Sequence, residues 1–370
     1  MKLKLLTVVG TRPEIIRLSC ILPKLDESFN HTLVNTNQNF DKNLNQIFFK
    51  ELKLKKPDYN LKNKNFSSFK FIGNLFIKIE EILNKEKPDA LLVLGDTNSS
   101  LSAICAKKKK IPVFHIEAGN RCFDDRVPEE INRRIVDHTS DINMTYSSYA
   151  SENLQNEGLK KDKIIKIGSP LKEVYANYAS FIGKSKILNK LKIEKKKYIL
   201  ASIHRQENVD DITNLKIILA SINKIKKNLN LPVLFSTHPR TKTNLKKIPL
   251  RLKSNIRFLN PFGFFDYAFL LQNAIITISD SGSITEEASI LNVKCVNLRS
   301  THERQEGMEL GIAPMSGLNV KSIFNSYKIA INNKNDIKLH LDYSNLNVSN
   351  TVVTIIQSYT HFVNEKVWLK

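Results

Sequence analysis

The sequence predicts an α/β protein built from two doubly wound parallel sheets. Three observations carry that expectation. Short apolar runs alternate with stretches of helical period along the chain; the runs fall into two series; and polar, often glycine-containing segments follow many of them. Alternation of this kind is the pattern of strands joined by crossover helices, and it places chemistry at the carboxyl ends of the strands.

The first series reads LKLLTVV (3–9), HTLVNT (31–36), DALLVLG (89–95), IPVFHI (111–116) and KIIKIG (163–168). The second reads KYILASI (197–203), LPVLFST (231–237), IRFLNP (256–261), AIITISD (274–280) and VKCVNL (293–298). Helical stretches lie between them, such as FKFIGNLFIKIEEILNK and NLKIILASINKIKKNL. Two Rossmann-like domains follow, dividing near 170–195. Their expected extents are 1–175 and 176–350, with residues 351–370 forming a helix that could cross back to the first domain. Ligands are expected in a cleft between the two domains.

A chain of 370 residues has room for two domains, and its charged and hydrophobic fractions, 25% and 41%, are those of a globular protein. The N-terminus MKLKLLTVVGTRPE runs from an apolar stretch straight into a glycine turn, which reads as a first strand rather than a signal peptide. No apolar run reaches the length of a membrane span. Cys20, Cys105, Cys122 and Cys295 are widely spaced and form no CxxC pair, so neither a zinc site nor a disulfide framework is expected. A cytoplasmic protein is the expectation. The net charge of +21 is spread over short lysine runs with no interleaved aromatic platform, which reads as a solvated surface and not as a nucleic-acid footprint.

Seven polar segments punctuate the chain: GTRPE (10–14), GDTNSS (95–100), HIEAG (115–119), HRQEN (204–208), THPR (237–240), SDSGSITEE (279–287) and THERQEG (301–307). In SDSGSITEE a strand ends at Ser279 and a helix starts near Ser283. Free N–H groups at Ser281, Gly282 and Ser283 would form an anion site, and Gly282 would let a phosphate approach closely. Glu287 lies one turn on, facing Ser283, where it could accept hydrogen bonds from a ribose diol. Ser283 with Glu286 also satisfies a capping box, and the two roles are compatible. Gly10-Thr11-Arg12-Pro13 reads either as a turn with a surface arginine or as a binding loop, with Pro13 suited to the first helical position. GxGxxG is absent, and Gly183-Lys184-Ser185 lacks the earlier glycine of a P-loop because Tyr178 stands there. No cofactor and no metal are expected.

Residues 115–130, HIEAGNRCFDDRVPEE, gather five carboxylates in an otherwise basic chain. Such groups are solvated, paired or used. Glu130 and Asp124 or Asp125 are expected to pair with Arg121, Arg126, Arg133 or Arg134.

Taken in order, GTRPE, GDTNS, HIEAG, PEEINR, the His204-Arg205 pair, SDSGSITEE and THERQEG resemble the non-hydrolysing UDP-N-acetylglucosamine 2-epimerase family, and the resemblance runs through nearly the whole chain. NRCFDDRVPEE, with GTRPEIIRLS and GFFDY, looks most like the branch that forms UDP-N-acetyl-L-fucosamine from UDP-2-acetamido-2,6-dideoxy-L-talose for surface polysaccharides. The resemblance implies two Rossmann-like domains in a GT-B-like arrangement, UDP bound in a central cleft, and a homodimer. It implies catalytic roles for Asp96, Glu117, Glu129 and His204, and UDP contacts from Arg12, Arg17, Ser281, Gly282, Ser283, Glu287 and Arg304. Some family members carry an allosteric site with two glutamines after the second strand. Gln38 matches the first, whereas Asp41 stands at the second, so that regulation is not expected.

Such a site would need to hold departing UDP, stabilise C1 and reach both faces of C2. Two carboxylates in one closed site should have separated pKa values, one serving as acid and the other as base. Cys122 and Phe123 could supply apolar contact to a 6-deoxy sugar, and Phe123 could equally serve as a core anchor. The rival readings are the parent UDP-N-acetylglucosamine reaction, a hydrolysing variant, a GT-B glycosyltransferase, and a non-catalytic nucleotide-sugar-binding protein.

Overall fold

The computed structural model describes residues 2–38, 48–61, 67–333 and 337–370; Asp41 lies outside them. The chain forms two compact units, Met1–Asn177 with Asp342–Lys370, and Tyr178–Leu341. Each is a fully parallel sheet flanked by helices.

The first sheet comprises β1 (Lys4–Val9), β2 (Asn30–Asn35), β3 (Tyr59–Asn60), β4 (Ala90–Leu94), β5 (Val113–Ala118), β6 (Ile142–Thr145) and β7 (Ile164–Lys166). Their spatial order is β3-β2-β1-β4-β5-β6-β7. Two of these were not expected from the sequence. β3 is only two residues long, and β6 reads INMT, where buried Asn143 and Thr145 interrupt the apolar pattern. The Asn143 amide donates to the Asp137 carbonyl at 3.0 Å, and the Thr145 and Ser151 hydroxyls bond at 2.7 Å. Those partners make a polar strand tolerable inside.

β4 is buried along its whole length and the neighbouring central strands along nearly all of theirs, as parallel sheets require. Leu6, Val8, Leu91 and Val93 pack with Phe71, Leu75, Ile79, Ile82 and Leu83 of the Ser68–Glu86 helix. These positions form one apolar stripe at helical spacing. The Ser67 hydroxyl caps that helix by accepting from the Lys70 N–H, and Lys87 ends it in the left-handed region at φ 47°.

The second sheet comprises β8 (Ile199–Ile203), β9 (Val233–Thr237), β10 (Ile256–Leu259), β11 (Ile276–Ser279) and β12 (Cys295–Asn297), in the order β10-β9-β8-β11-β12. Alternation along β8 fills both faces. Ile199, Ala201 and Ile203 meet Leu215, Ile218, Leu219 and Ile222 of the Ile212–Leu229 helix. Leu200 turns the other way, into a cluster with Leu270, Leu271, Ile284 and Ala288.

The last segment belongs to the first unit. The Val348–Lys366 helix packs on the Ile21–Ser28 helix. The Ser349 N–H donates to Glu173 at 2.9 Å, and Ser169 N–H to the Asp342 carbonyl at 2.9 Å. The four cysteines are free. Among the described residues no helix is long and apolar enough to cross a membrane.

Strand order reverses between β1 and β4 in one unit and between β8 and β11 in the other. Adjacent crossovers leave on opposite faces there, which opens a crevice at the carboxyl ends of the strands. Gly10 shows how tightly the first of these is packed. A Cβ added there would lie 2.1 Å from the Ser99 hydroxyl and 2.2 Å from that of Thr36, and these two hydroxyls bond each other at 2.7 Å. Gly10→Ala should therefore cost about 1–3 kcal/mol, the range for overpacking, read as a lower urea midpoint. An unchanged midpoint would show that the loops can yield around the methyl group.

Candidate active site

After β1 the chain turns through Gly10 and Thr11 into the Arg12–Arg17 helix, with Arg12 rather than Pro13 at its first position. Glu14, which the sequence reading passed over, lies buried in this turn. Its carboxylate accepts the Gly10 N–H at 2.5 Å, the Thr11 N–H at 3.1 Å and the Thr97 hydroxyl at 2.6 Å. It therefore ties the β1 loop to the β4 loop across the switch point. Burial pushes its carboxyl up to about 7, against the opposing effect of those donors.

Arg17, on the inner face of the same helix, is buried with its Nε 3.6 Å from Glu117 Oε2 and its guanidinium over the Tyr146 ring at 5.4 Å. Arg12 is half-buried over the Phe48 ring at 4.9 Å. Glu117 sits in β5 at φ 69°, where the register against β6 shifts between Ile116 and Ala118. The left-handed region costs a non-glycine residue about 1–2 kcal/mol. The Asn120 amide donates to Glu117 at 3.3 Å.

Asp96 follows Gly95, which is itself left-handed at φ 72°. The Asp96 carboxylate is gripped by the Arg133 guanidinium, whose Nε donates at 3.1 Å. Arg133 also holds the buried Glu130 at 2.6 Å. Both come from the Pro128–Thr139 helix, whose first turn carries half-buried Glu129. Burial alone would raise the Glu130 carboxyl, but Arg133 and the Cys122 N–H and thiol hold it below its ordinary value. The Cys122 thiol, 3.2 Å from Glu130, is pushed up to about 11 by burial.

The remaining acidic residues of 115–130 are paired. Asp124 meets Arg126 at 2.8 Å and Asp125 meets Arg134 at 3.4 Å. Arg121 departs from the expected set. It is fully buried and pairs with Asp137 at 2.7 Å and Glu157 at 2.6 Å. Phe123 is 67% exposed at φ 53°, so it is no core anchor.

In the second unit the organising residue is Asp280, also passed over in sequence. It is fully buried just past β11 and accepts the His204 N–H at 3.1 Å, the Arg205 N–H at 3.0 Å and the Asn208 amide at 2.9 Å. The His204 ring Nδ1 lies 3.3 Å from the same carboxylate, and the ring centre lies 6.2 Å from that of His238. His238 itself caps the Pro239–Leu245 helix, its Nδ1 accepting the Arg240 N–H.

Ser281, Gly282 and Ser283 are half-exposed at the start of the Ile284–Leu291 helix. The Ser281 and Ser283 hydroxyls lie 3.0 Å apart, and Ser283 donates to Glu287 at 3.1 Å. The expected capping box does not form. Ser283 makes no side-chain cap, and Glu286 is instead buried against Arg304, whose Nε donates to it at 2.8 Å. A Cβ on Gly282 would fall 2.6 Å from the Glu303 carboxylate, which would have to shift to admit it.

Arg17, Asp96 and Glu117 thus stand at or beside strand ends of the first unit, and Glu129 lies in the first turn of the Pro128–Thr139 helix. His204, Ser281, Gly282, Ser283, Glu287 and Arg304 stand at strand ends and helix starts of the second unit. Among the described residues no group of three His, Cys, Asp or Glu side chains could hold a metal ion.

Carboxylates and arginines at the switch point of one doubly wound unit, with a serine–glycine helix start in the other, place the chain among enzymes of two Rossmann-like units. The family model for UDP-N-acetylglucosamine 2-epimerase matches residues 23–357. The chain belongs to that family. A UDP-N-acetylglucosamine 2-epimerase from Rickettsia bellii superimposes with a TM-score of 0.91 at 44% identity, over 100% of both chains. The UDP-GlcNAc 2-epimerase of Methanocaldococcus jannaschii, solved with UDP-GlcNAc and UDP, gives a TM-score of 0.90 at 37% identity, covering 96% of this chain and 99% of that one. A Pseudomonas aeruginosa UDP-2,3-diacetamido-2,3-dideoxy-D-glucuronate 2-epimerase is 35% identical over 85% of this chain and 88% of its own.

Glu14 supplies a pH test. Its carboxyl, ordinarily near 4.5, stands at about 7 in the fold. The folded state therefore favours the protonated form. That contribution is complete below pH 4.5 and is lost as pH rises through 7, a span worth about 3 kcal/mol at ~1.4 kcal/mol per unit. Glu14→Gln cannot ionise, so its urea stability should fall less than that of the parent between pH 5 and 7.5. Equal falls would mean that the three donors keep Glu14 ionised throughout.

Proposed function

We propose that the protein inverts C2 of a UDP-2-acetamido sugar by eliminating UDP to a 2-acetamidoglycal and adding it back. Its substrate is UDP-2-acetamido-2,6-dideoxy-L-talose and its product UDP-N-acetyl-L-fucosamine. The observation that carries the reaction is the pair of strand-end carboxylates, Asp96 and Glu117, each facing an arginine and one held at a strained φ.

The C2 proton of a 2-acetamido sugar is not beside a carbonyl, so C1–O cleavage must lead and acidify it. Glu117, Glu129 and Asp96 then serve as the acid and base groups that remove the proton and return it on the other face. His204, oriented by Asp280, assists departure of the diphosphate as an acid. Arg12, Arg17 and Arg304 offer forked donors to it. The N–H groups of Ser281, Gly282 and Ser283 cradle a phosphate, and Glu287 takes the ribose hydroxyls.

Support for the L-sugar comes from the resemblance of NRCFDDRVPEE between two of the carboxylates. Relatives at 35–37% identity already differ in the sugar their names give, so family membership leaves the sugar open. A second reading, UDP-GlcNAc to its C2 epimer, is favoured by the Methanocaldococcus jannaschii enzyme having been solved with UDP-GlcNAc.

Incubating the purified protein with each UDP-sugar in deuterated water, followed by NMR, separates these readings. The L-talo substrate should convert, gaining deuterium at C2, with UDP-GlcNAc turned over poorly. Faster UDP-GlcNAc epimerisation would select the second reading, and product without deuterium would exclude deprotonation at C2.

Variants separate chemistry from binding. Glu117→Gln and Asp96→Asn should each lower kcat by about 10²–10⁴-fold. Glu287→Ala should mainly weaken UDP affinity, because a ribose contact is shared by ground and transition states. Unchanged UDP affinity in Glu287→Ala would remove the ribose assignment.

A further inference from the structure

One buried polar network lies behind the proposed carboxylates and takes no part in the chemistry assigned above. His115, fully buried in β5, donates from Nε2 to the Gly95 carbonyl at 2.9 Å. Its Nδ1 lies 2.8 Å from Asp137 Oδ1. Asp137 is also fully buried, and its carboxylate accepts the Gly119 N–H at 3.2 Å and the Arg121 guanidinium at 2.7 Å.

The residues touched are informative. Gly95 immediately precedes Asp96, and Gly119 lies two residues past Glu117. Both glycines are left-handed, at φ 72° and 79°. The Gly95 N–H donates to the Ile116 carbonyl at 2.9 Å. The turn into Asp96 is therefore fastened to β5 through both its N–H and its carbonyl. On the other side, the strand irregularity that sets Glu117 at positive φ ends at the N–H held by Asp137. Gly119 has no slack: a Cβ there would fall 2.1 Å from the Ala150 carbonyl oxygen.

The same helix completes the arrangement. Glu130, Arg133 and Asp137 are three and four residues apart, a spacing that puts them on one face of Pro128–Thr139. Arg133 reaches the Asp96 carboxylate, and one turn later Asp137 reaches the Glu117 loop. Buried charge pairs of this kind are a poor source of stability compared with apolar packing. Geometry is what they supply.

We infer that His115 and Asp137 are positioning residues that fix the Asp96 and Glu117 loops relative to one another. This inference rests on the proposed catalytic roles of those two carboxylates. Acid and base groups act on one carbon within hydrogen-bond reach, and a misplacement of about 1 Å can cost roughly 10²-fold. Loss of the His115–Gly95 or Asp137–Gly119 bond frees a loop to move by that order. The UDP-contacting residues assigned in the second unit touch neither bond.

The test compares His115→Gln, His115→Leu and Asp137→Asn with Asp96→Asn and Glu117→Gln, measuring kcat, KM, UDP affinity by calorimetry and thermal unfolding. His115→Leu should lose about 10²-fold in kcat while KM and UDP affinity stay within about threefold. His115→Gln, whose amide can still donate to the Gly95 carbonyl, should recover a substantial part of that loss. Asp137→Asn keeps an acceptor for Gly119 but loses the charge beside His115 and Arg121, and should fall between them. Equal kcat for the Leu and Gln variants, or a loss confined to KM, would overturn the positioning role. Should His115→Leu not fold, wild-type kcat in both His115→Gln and Asp137→Asn is the expected result only if no positioning role exists. Full activity in Asp96→Asn and Glu117→Gln would instead remove the catalytic reading beneath the inference. Loss in those two with parental kcat in the His115 and Asp137 variants would remove the inference alone.

Discussion

Backbone N–H groups just beyond parallel strands have lost their ladder partners, and at a switch point they lie buried. Leaving such a group without an acceptor costs about 1–3 kcal/mol. Both units meet this demand with an internal carboxylate. Glu14 takes the N–H groups of Gly10 and Thr11, while Asp280 takes those of His204 and Arg205. Each also binds a side chain of a neighbouring segment, Thr97 in one case and Asn208 in the other. The strand ends are thus stitched together before any ligand arrives. At Ser281–Ser283 the corresponding acceptors are hydroxyls: Ser279 accepts the Ser281 N–H and Ser281 the Ser283 N–H. A neutral hydroxyl yields to an anion far more readily, which suits this start to the diphosphate role proposed for it.

The Pro128–Thr139 helix shows a second use of buried charge. Its inner face presents acid, base, acid at positions 130, 133 and 137. Arg133 serves two carboxylates at once, and Asp137 collects a ring nitrogen, a guanidinium and an N–H. Truncating one partner would strand the others without compensation. A helix with so polar an inner face holds by mutual satisfaction, where the Ser68–Glu86 helix holds by apolar burial.

Much of this was legible because parallel strands buried on both faces leave continuous apolar runs. The ten strands expected from such runs all form, trimmed by a residue or two at most ends; β2 instead begins a residue early at Asn30, and β5 runs on to Ala118. β6 escaped because its polar residues find partners that only the folded chain supplies. Glu14 looked like the fifth letter of a turn motif, and Asp280 like one more polar residue in a loop. Their importance lies in which backbone groups converge on them, information that spacing does not contain. Arg121 is the reverse case. Sequence proximity suggested a partner among nearby acids, while the chain carries it inward to Asp137 and Glu157. The capping box failed for a similar reason, since Arg304, eighteen residues away, claims Glu286.

The two-part composition of the first unit has a consequence for the order of folding. Residues Tyr178–Leu341 form a continuous unit, whereas the first unit is interrupted and completed only by Asp342–Lys370. Val348, Val352, Ile355, Ile356 and Val363 are buried within that last segment. During synthesis domains generally fold as units from the N-terminus. Here the unit begun first is the last to be completed, because its last helix follows every strand of the second unit in the chain. Until then the Ile21–Ser28 helix keeps an apolar face open to water. The nascent chain therefore carries a first unit whose seven strands are made but whose Val348–Lys366 helix is still to come, ahead of a second unit that is continuous in sequence.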